Sequence, residues 1–175
     1  MKKIMIVDDN YLSAEGIEKN IDWETLNAEI VHVCYNGTSA IEAMKKEPAD
    51  LIISDIEMPD LDGISMSRQA LEINPMVKII LISAYDKFEY ARRALLLGAL
   101  DYIEKPLDYA YLIQKVKNAF ALMEKEQKNL QLLKQSRPLL TEKFFREITH
   151  LPSSEAAYRL KPYLKYLNLE LNYDF

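Results

Sequence analysis

Five polar side chains stand where predicted strands end, and together they could do chemistry. They are Asp8 and Asp9 after the first strand, Asp55 after the third, Ser83 after the fourth and Lys105 after the fifth. The carboxyl ends of parallel strands meet at one edge of an open α/β sheet, where ligands bind. We therefore expect three carboxylates, a hydroxyl and an ammonium group to converge at that edge.

Three crowded carboxylates repel one another unless a cation neutralises them. An all-oxygen site suits Mg²⁺ or Mn²⁺, because these hard cations accept carboxylate ligands and keep several waters. A cation beside a carboxylate nucleophile, with Lys105 and Ser83 in reach, is suited to phosphoryl transfer onto the carboxylate. The nucleophile is predicted to be Asp55, because a central strand presents it most directly.

The elements that must position these residues alternate between short apolar runs and segments with helical periodicity. The apolar runs predict strands over residues 3–7, 30–35, 50–54, 77–83 and 100–104. The intervening segments predict helices over residues 11–20, 38–46, 64–73 and 87–97, with a fifth helix capped by Asp108. Such alternation predicts a doubly wound α/β fold, in which helices cover both faces of a five-stranded parallel sheet.

Composition excludes several classes of protein. The chain of 175 residues has a net charge of −5, which does not suit a nucleic-acid-binding surface. It has 4 glycines, scattered along the chain, so a glycine-rich phosphate loop is not expected. The lone Cys34 favours a reducing, cytoplasmic location. The apolar runs predict neither a signal peptide nor a membrane span.

These residues resemble a known family. The quoted elements are Asp8-Asp9, Asp55 within Ile-Ile-Ser-Asp-Ile-Glu-Met-Pro-Asp-Leu-Asp-Gly, Ser83-Ala84, Tyr102 and Lys105-Pro106. In this order, over residues 1–121, they are similar to the CheY-like receiver domain of two-component response regulators. The resemblance implies a flavodoxin-like fold with strand order 2-1-3-4-5 and a signalling switch that turns over no separate substrate.

The resemblance also implies a role for each matching residue. Asp55 would accept a phosphoryl group from the phosphohistidine of a partner sensor histidine kinase. Asp8 or Asp9, with Asp9 favoured, would hold Mg²⁺ (or Mn²⁺) together with Asp55 and the backbone carbonyl of Glu57. Lys105 would pair with Asp55 and then with the phosphoryl oxygens, and Ser83 would donate its hydroxyl to the phosphoryl group.

The resemblance implies roles for four further residues. Tyr102 would be a switch residue that moves inward, and Pro106 would be a cis-proline. Glu57 and Tyr85 would modulate the lifetime of the phosphoryl group.

The remaining residues are predicted to link the receiver to an output domain. Residues 122–137 are expected to be a helical linker. Positions 116, 119, 123, 126, 130 and 133 form a heptad seam along the extended fifth helix, which favours a homodimer through that helix. Arg137-Pro138 is expected to interrupt the helix. Residues 138–175 are expected to begin an intermediate domain, because residues 137–148 are similar to a segment of AraC/YesN-type response regulators. In those proteins a DNA-binding domain comes last, so transcription control would need a domain missing from this chain.

Two alternative functions compete with the receiver interpretation. A haloacid-dehalogenase-type phosphatase also uses a strand-end aspartate with Mg²⁺, but its Asp-x-Asp-x-Thr/Val pattern is not matched after Asp55. A flavodoxin-like flavin-binding module would need a hydroxyl-rich loop where this chain has Asp8 and Asp9, which would repel a flavin phosphate. A receiver that works without phosphorylation is disfavoured, because the acidic residues are all present.

Overall fold

The computed structural model describes the backbone of residues 1–84 and 88–148, and the side chains of these ranges except those of residues 88, 95 and 133–148. Strands and helices alternate throughout the described ranges. The strands are β1 (Lys2–Val7), β2 (Ala28–Cys34), β3 (Leu51–Asp55), β4 (Lys78–Ser83) and β5 (Asp101–Glu104). The helices are α1 (Tyr11–Asn20), α2 (Gly37–Lys46), α3 (Gly63–Ile73), α4 (Phe88–Leu97) and α5 (Tyr109–Ile148).

The strands form one parallel sheet in the order β2-β1-β3-β4-β5. This arrangement confirms the predicted doubly wound fold and its strand order. The central strand β3 is buried along its whole length, which explains its continuous apolar run. Its last residue, Asp55, therefore lies in the middle of the carboxyl edge of the sheet.

Helices cover both faces of the sheet. Met5 and Val7 of β1 pack in one core cluster with buried residues of α2, α3 and α4. Alternate residues of a strand point to opposite faces, so Ile4 and Ile6, also fully buried, face the other side. The α5 residues Leu112, Val116 and Ala119 are fully buried but lie outside that cluster, which places them on the second face.

Short polar side chains fix where the helices begin. Asn10 accepts hydrogen bonds from two backbone N–H groups at the start of α1, and Asp62 does the same for α3. Asp108 caps α5 as predicted, because its Oδ1 accepts from the backbone N–H of Ala110 at 2.8 Å. Gly98, just after α4, has a φ of +82°, the left-handed conformation expected at that position.

Helix α5 corrects one expectation. The sequence predicted an interruption at Arg137-Pro138, whereas α5 runs without a break from Tyr109 to Ile148. An internal proline removes one backbone hydrogen bond, and this loss bends a helix as readily as it ends one. Most of the predicted intermediate domain, residues 149–175, lies outside the described residues.

The chain forms two compact units, Met1–Leu122 and a second that begins at Met123. The first unit contains the whole sheet and every residue singled out for chemistry. Across the described ranges, no helix has the length and apolar character that crossing a membrane requires.

Candidate functional site

Three carboxylates meet at the carboxyl edge of the sheet. Asp8 and Asp9 directly follow β1, and Asp55 is the last residue of the neighbouring β3. One carboxylate oxygen from each residue lies within 4.8 Å of the others. Asp8 and Asp55 are 1% and 6% exposed, whereas Asp9 is open to solvent. The predicted convergence of these three residues is thus present in the structure.

Lys105 brings a positive charge to the cluster from the end of β5. Its Nζ donates a hydrogen bond to Oδ2 of Asp8 at 3.0 Å and forms an ion pair with Oδ1 of Asp55 at 3.1 Å. Its backbone N–H donates to the carbonyl of Ser83 at 2.8 Å, which ties the lysine to the end of β4. One ammonium group therefore faces two buried carboxylates.

The electrostatic balance at the cluster is unfavourable for a third negative charge. Burial raises the pKa of the Asp55 carboxyl above its ordinary value; the Lys105 ammonium opposes that rise, and the charges of Asp8 and Asp9 add to it. Burial also disfavours the charged form of Lys105, but its hydrogen bond to Asp8 and the charge of Asp55 outweigh this, so the pKa of Lys105 is raised. One lysine does not neutralise three carboxylates.

The donor atoms of the cluster fit a hard divalent cation. All are carboxylate oxygens, and Oδ1 of Asp55 is buried and accepts no hydrogen bond from the described residues beyond its ion pair with Lys105. The two oxygens of Asp8 already accept hydrogen bonds, from the Asn10 N–H at 2.9 Å and from Lys105. Asp9 and Asp55 are therefore the residues better placed to contact a cation directly.

The loop after β3 is held tightly against the cluster. The Gly63 N–H donates to the Ile56 carbonyl at 2.9 Å, and the Ile56 N–H donates to the Ile82 carbonyl at 2.9 Å. A methyl group at Gly63 would lie 2.0 Å from the carbonyl oxygen of Asp55, so only glycine permits this approach. The backbone that presents Asp55 and Glu57 is thereby fixed at both ends of the loop.

Three of the other predicted residues, Ser83, Tyr102 and Pro106, belong to β4, to β5 and to the loop after β5. Ser83 is fully buried at the end of β4, and Tyr102 of β5 is half-buried against the core cluster. The Lys105–Pro106 peptide bond is cis. Tyr85 lies outside the described residues. The structure gives the positions of Ser83, Tyr102 and Pro106, and the roles assigned to these residues stay predictions.

Glu57 has a partner that the sequence did not indicate. Its Oε1 accepts a hydrogen bond from the Tyr90 hydroxyl of α4 at 3.1 Å. The two residues are 33 positions apart, so no local pattern could have paired them. Lys105 and Asp8 are separated by 97 positions. Both were expected at the same edge of the sheet, but the sequence did not indicate the hydrogen bond between them. Gly63 could have been noticed only as the residue directly before the predicted helix over 64–73.

A cavity of about 350 Å³ adjoins the cluster on the side of α1. Asp8 and Lys105 line the cavity next to the carboxylates. The rest of its lining comes from residues of α1 and from Asn10, Ile82, Pro106, Leu107 and Tyr109. The acidic cluster is therefore reachable from solvent beside α1.

Comparisons with known proteins agree with this geometry. The family model described as the response regulator receiver domain matches residues 4–117. The REC domain of AraT, a response regulator from Geobacillus stearothermophilus, is 35% identical with a TM-score of 0.68, and the match covers 72% of this chain and 98% of that chain. The CheX-CheY-BeF3-Mg²⁺ complex from Borrelia burgdorferi contains a chain that is 28% identical with a TM-score of 0.62, covering 68% of this chain and 89% of that one.

Longer relatives match over part of their length. The transcriptional regulatory protein YesN of Bacillus subtilis, described as uncharacterized, is 29% identical over 126 residues, which are 72% of this chain and 34% of YesN. The chain thus spans about a third of the length of that relative.

Proposed function

The chain belongs to the response regulator receiver family, and from this premise we propose that Asp55 accepts a phosphoryl group from the phosphohistidine of a partner sensor histidine kinase. The observation that carries the proposal is the convergence of Asp8, Asp9 and Asp55 beside Lys105 at one edge of the sheet. Nothing in the likenesses to known proteins supports the phosphatase or the flavin-binding alternative.

The transfer is a displacement at phosphorus. A carboxylate oxygen of Asp55 attacks, a P–O bond forms as the P–N bond to the imidazole breaks, and the electron pair stays on the nitrogen. Lys105, already 3.1 Å from Asp55, then pairs with the phosphoryl oxygens. Asp55 is 6% exposed, and this burial would limit the contact of bulk water with the acyl phosphate. The chain acts only on its own phosphoryl group and turns over no separate substrate.

A divalent cation completes the site in this proposal. Asp9, Asp55 and the backbone carbonyl of Glu57 would hold Mg²⁺ or Mn²⁺, with Asp8 close by. When bound, the cation neutralises the negative charge that would otherwise repel the phosphoryl donor. Support comes from the three clustered carboxylates and from the presence of Mg²⁺ in the Borrelia burgdorferi complex.

The switch is proposed to involve Ser83 and Tyr102. The Ser83 hydroxyl would turn toward the phosphoryl group, and the ring of Tyr102 would move into the space beside it. Support comes from the pairing of β4 with β5, in which Tyr102 pairs with Leu81, two positions before Ser83. Because alternate residues of a strand share a face, Ser83 and Tyr102 project from the same face of the sheet. Glu57 and Tyr85 are proposed to set the lifetime of the phosphoryl group.

The output of the switch is proposed to be transcription. YesN is named as a transcriptional regulatory protein, and this chain matches only part of it, so a DNA-binding domain would belong to the full-length protein. We further propose a homodimer through α5 and a cytoplasmic location, which a reduced, buried Cys34 also favours.

Intact-mass spectrometry tests the proposal. With Mg²⁺ and a small phosphodonor such as acetyl phosphate, the protein should gain one phosphoryl group, and Asp55→Ala should abolish the gain. Asp60→Asn is the matched control, because Asp60 is an exposed aspartate of the same loop outside the cluster. Equal labelling of Asp55→Ala and the unaltered protein would overturn the assignment.

A further inference from the structure

Glu57 follows Asp55 closely along the chain, and its carboxylate does not belong to the acidic cluster. In the described part of the chain, the clustered oxygens come from Asp8, Asp9 and Asp55. Glu57 is two residues from Asp55, and its own backbone carbonyl is proposed to face the cation. Its side chain instead accepts the hydrogen bond from the Tyr90 hydroxyl at 3.1 Å.

The backbone on both sides of Glu57 is held in place. Ile56 and Met58 are 1% and 8% exposed, and the Ile56 carbonyl accepts from the N–H groups of Met58 and Gly63 at 3.2 and 2.9 Å. The freedom that remains to Glu57 is the rotation of its long side chain. Its hydrogen-bond partner therefore has a large influence on where its charge lies.

Tyr90 is itself held by packing. Its ring is half-buried against the core cluster, and Ala94, one helical turn further along α4, is 2% exposed in that cluster. Because the ring is anchored, the hydroxyl forms a fixed donor at the start of α4. A hydrogen bond from a fixed donor to a charged acceptor is stronger than one between neutral groups.

We propose that Tyr90 is a positioning residue whose hydroxyl keeps the Glu57 carboxylate away from the cation site. The first turn of α4 thereby controls how much negative charge the cluster presents to Mg²⁺. The inference rests on the proposed function for the place of the cation, and it assigns a regulatory contact between α4 and the β3–α3 loop.

A double-mutant cycle on Mg²⁺ affinity tests the inference. Tyr90→Phe keeps the ring and removes only the hydroxyl, and Glu57→Gln removes the charge while it keeps a hydrogen-bond acceptor. Isothermal titration calorimetry of the metal-free proteins should show Mg²⁺ binding about fivefold tighter in Tyr90→Phe, the size expected when one more carboxylate approaches a solvated cation. In the Glu57→Gln background, Tyr90→Phe should leave the affinity unchanged.

Tyr111→Phe is the matched control, because Tyr111 is an exposed tyrosine on α5 outside the cluster. Its Mg²⁺ affinity should equal that of the unaltered protein. An unchanged or weaker affinity in Tyr90→Phe, or the same change in both backgrounds, would overturn the inference.

Phosphoryl labelling of all four proteins of the cycle separates this inference from the proposed function. Normal labelling with no coupling in the cycle defeats the positioning role alone. A clear coupling without labelling of the unaltered protein keeps the positioning role and defeats the phosphoryl-acceptor proposal.

Discussion

Asp55 is held in an environment that penalises its charge. It is 6% exposed, and Asp8 and Asp9 lie within 4.8 Å of it, whereas Lys105 provides a single compensating charge. The raised pKa of Asp55, which burial causes first of all, shows that Lys105 does not fully offset this cost. The charge of Asp55 therefore lowers the free energy of unfolding of the metal-free protein, at the residue that is proposed to react.

Removing the Asp55 charge should stabilise the metal-free protein. We expect Asp55→Asn to raise the free energy of unfolding by about 1 kcal/mol in a chelating buffer at neutral pH, because an amide avoids the burial and repulsion of a carboxylate. Urea unfolding measures the difference. Asp60→Asn, at an exposed position, should change the stability by less than about 0.5 kcal/mol. A destabilised Asp55→Asn variant would show that the pairing with Lys105 dominates instead.

Sequence reasoning placed the residues of the site but could not pair them. Asp8, Asp9, Asp55, Ser83 and Lys105 follow from strand ends, because parallel strands bring their carboxyl ends to one edge. The Lys105–Asp8 and Tyr90–Glu57 hydrogen bonds depend on side-chain rotamers across 97 and 33 positions, which no local pattern records. The edge was therefore predictable, and its internal contacts were not.

The loop between β3 and α3 is held in place by close backbone packing. Asp62 caps α3, and Gly63 lies against the carbonyl of Asp55 with no room for a side chain. Helix α3 thus begins directly behind Asp55. A shift of the start of α3 toward β3 would therefore press on the backbone of Asp55.

Gly63→Ala should destabilise the fold more than Gly98→Ala. An added methyl at Gly63 would collide with the carbonyl oxygen of Asp55, and overpacking of this kind costs about 3 kcal/mol. At Gly98 nothing lies within 4 Å of such a methyl, so the cost is that of the left-handed backbone alone, about 1 kcal/mol. Thermal unfolding compares the two variants, and equal losses would contradict this packing argument.

The elements themselves were largely predictable because strand and helix periods differ clearly in this chain. The run predicted over 50–54 appears as β3 at Leu51–Asp55, and the weaker run over 30–35 appears as β2 at Ala28–Cys34. Strand β2 lies at an edge of the sheet and has partly exposed residues, so its apolar signal is diluted. Helix α5 continues past Pro138, which the sequence could not predict because a proline can either bend a helix or end it.

At the scale of the whole molecule, the length of α5 is the feature that one receiver unit does not explain. The helix has 40 residues, and its seam changes character along its length. Val116 and Ala119 are fully buried, whereas Leu130 is 46% exposed. An apolar seam position open to solvent favours the proposed contact between two copies of the chain.

A charge on the exposed seam should disrupt the proposed dimer. We expect light scattering at micromolar concentration to show a dimer of the unaltered chain and a monomer of Leu130→Glu. Leu132→Glu is the matched control, because residue 132 is exposed and lies off the seam. A monomeric unaltered chain, with and without phosphorylation, would contradict dimerisation through α5.

The measurement that tests the central claim most directly is the location of the phosphoryl group. Borohydride reduction converts an aspartyl phosphate to homoserine, and peptide mass spectrometry identifies the reduced residue. After Mg²⁺-dependent phosphorylation, homoserine should replace aspartate at position 55 and at no other position. Homoserine at Asp8 or Asp9, or a phosphoryl group on a hydroxyl residue, would contradict the role of Asp55 as the phosphoacceptor.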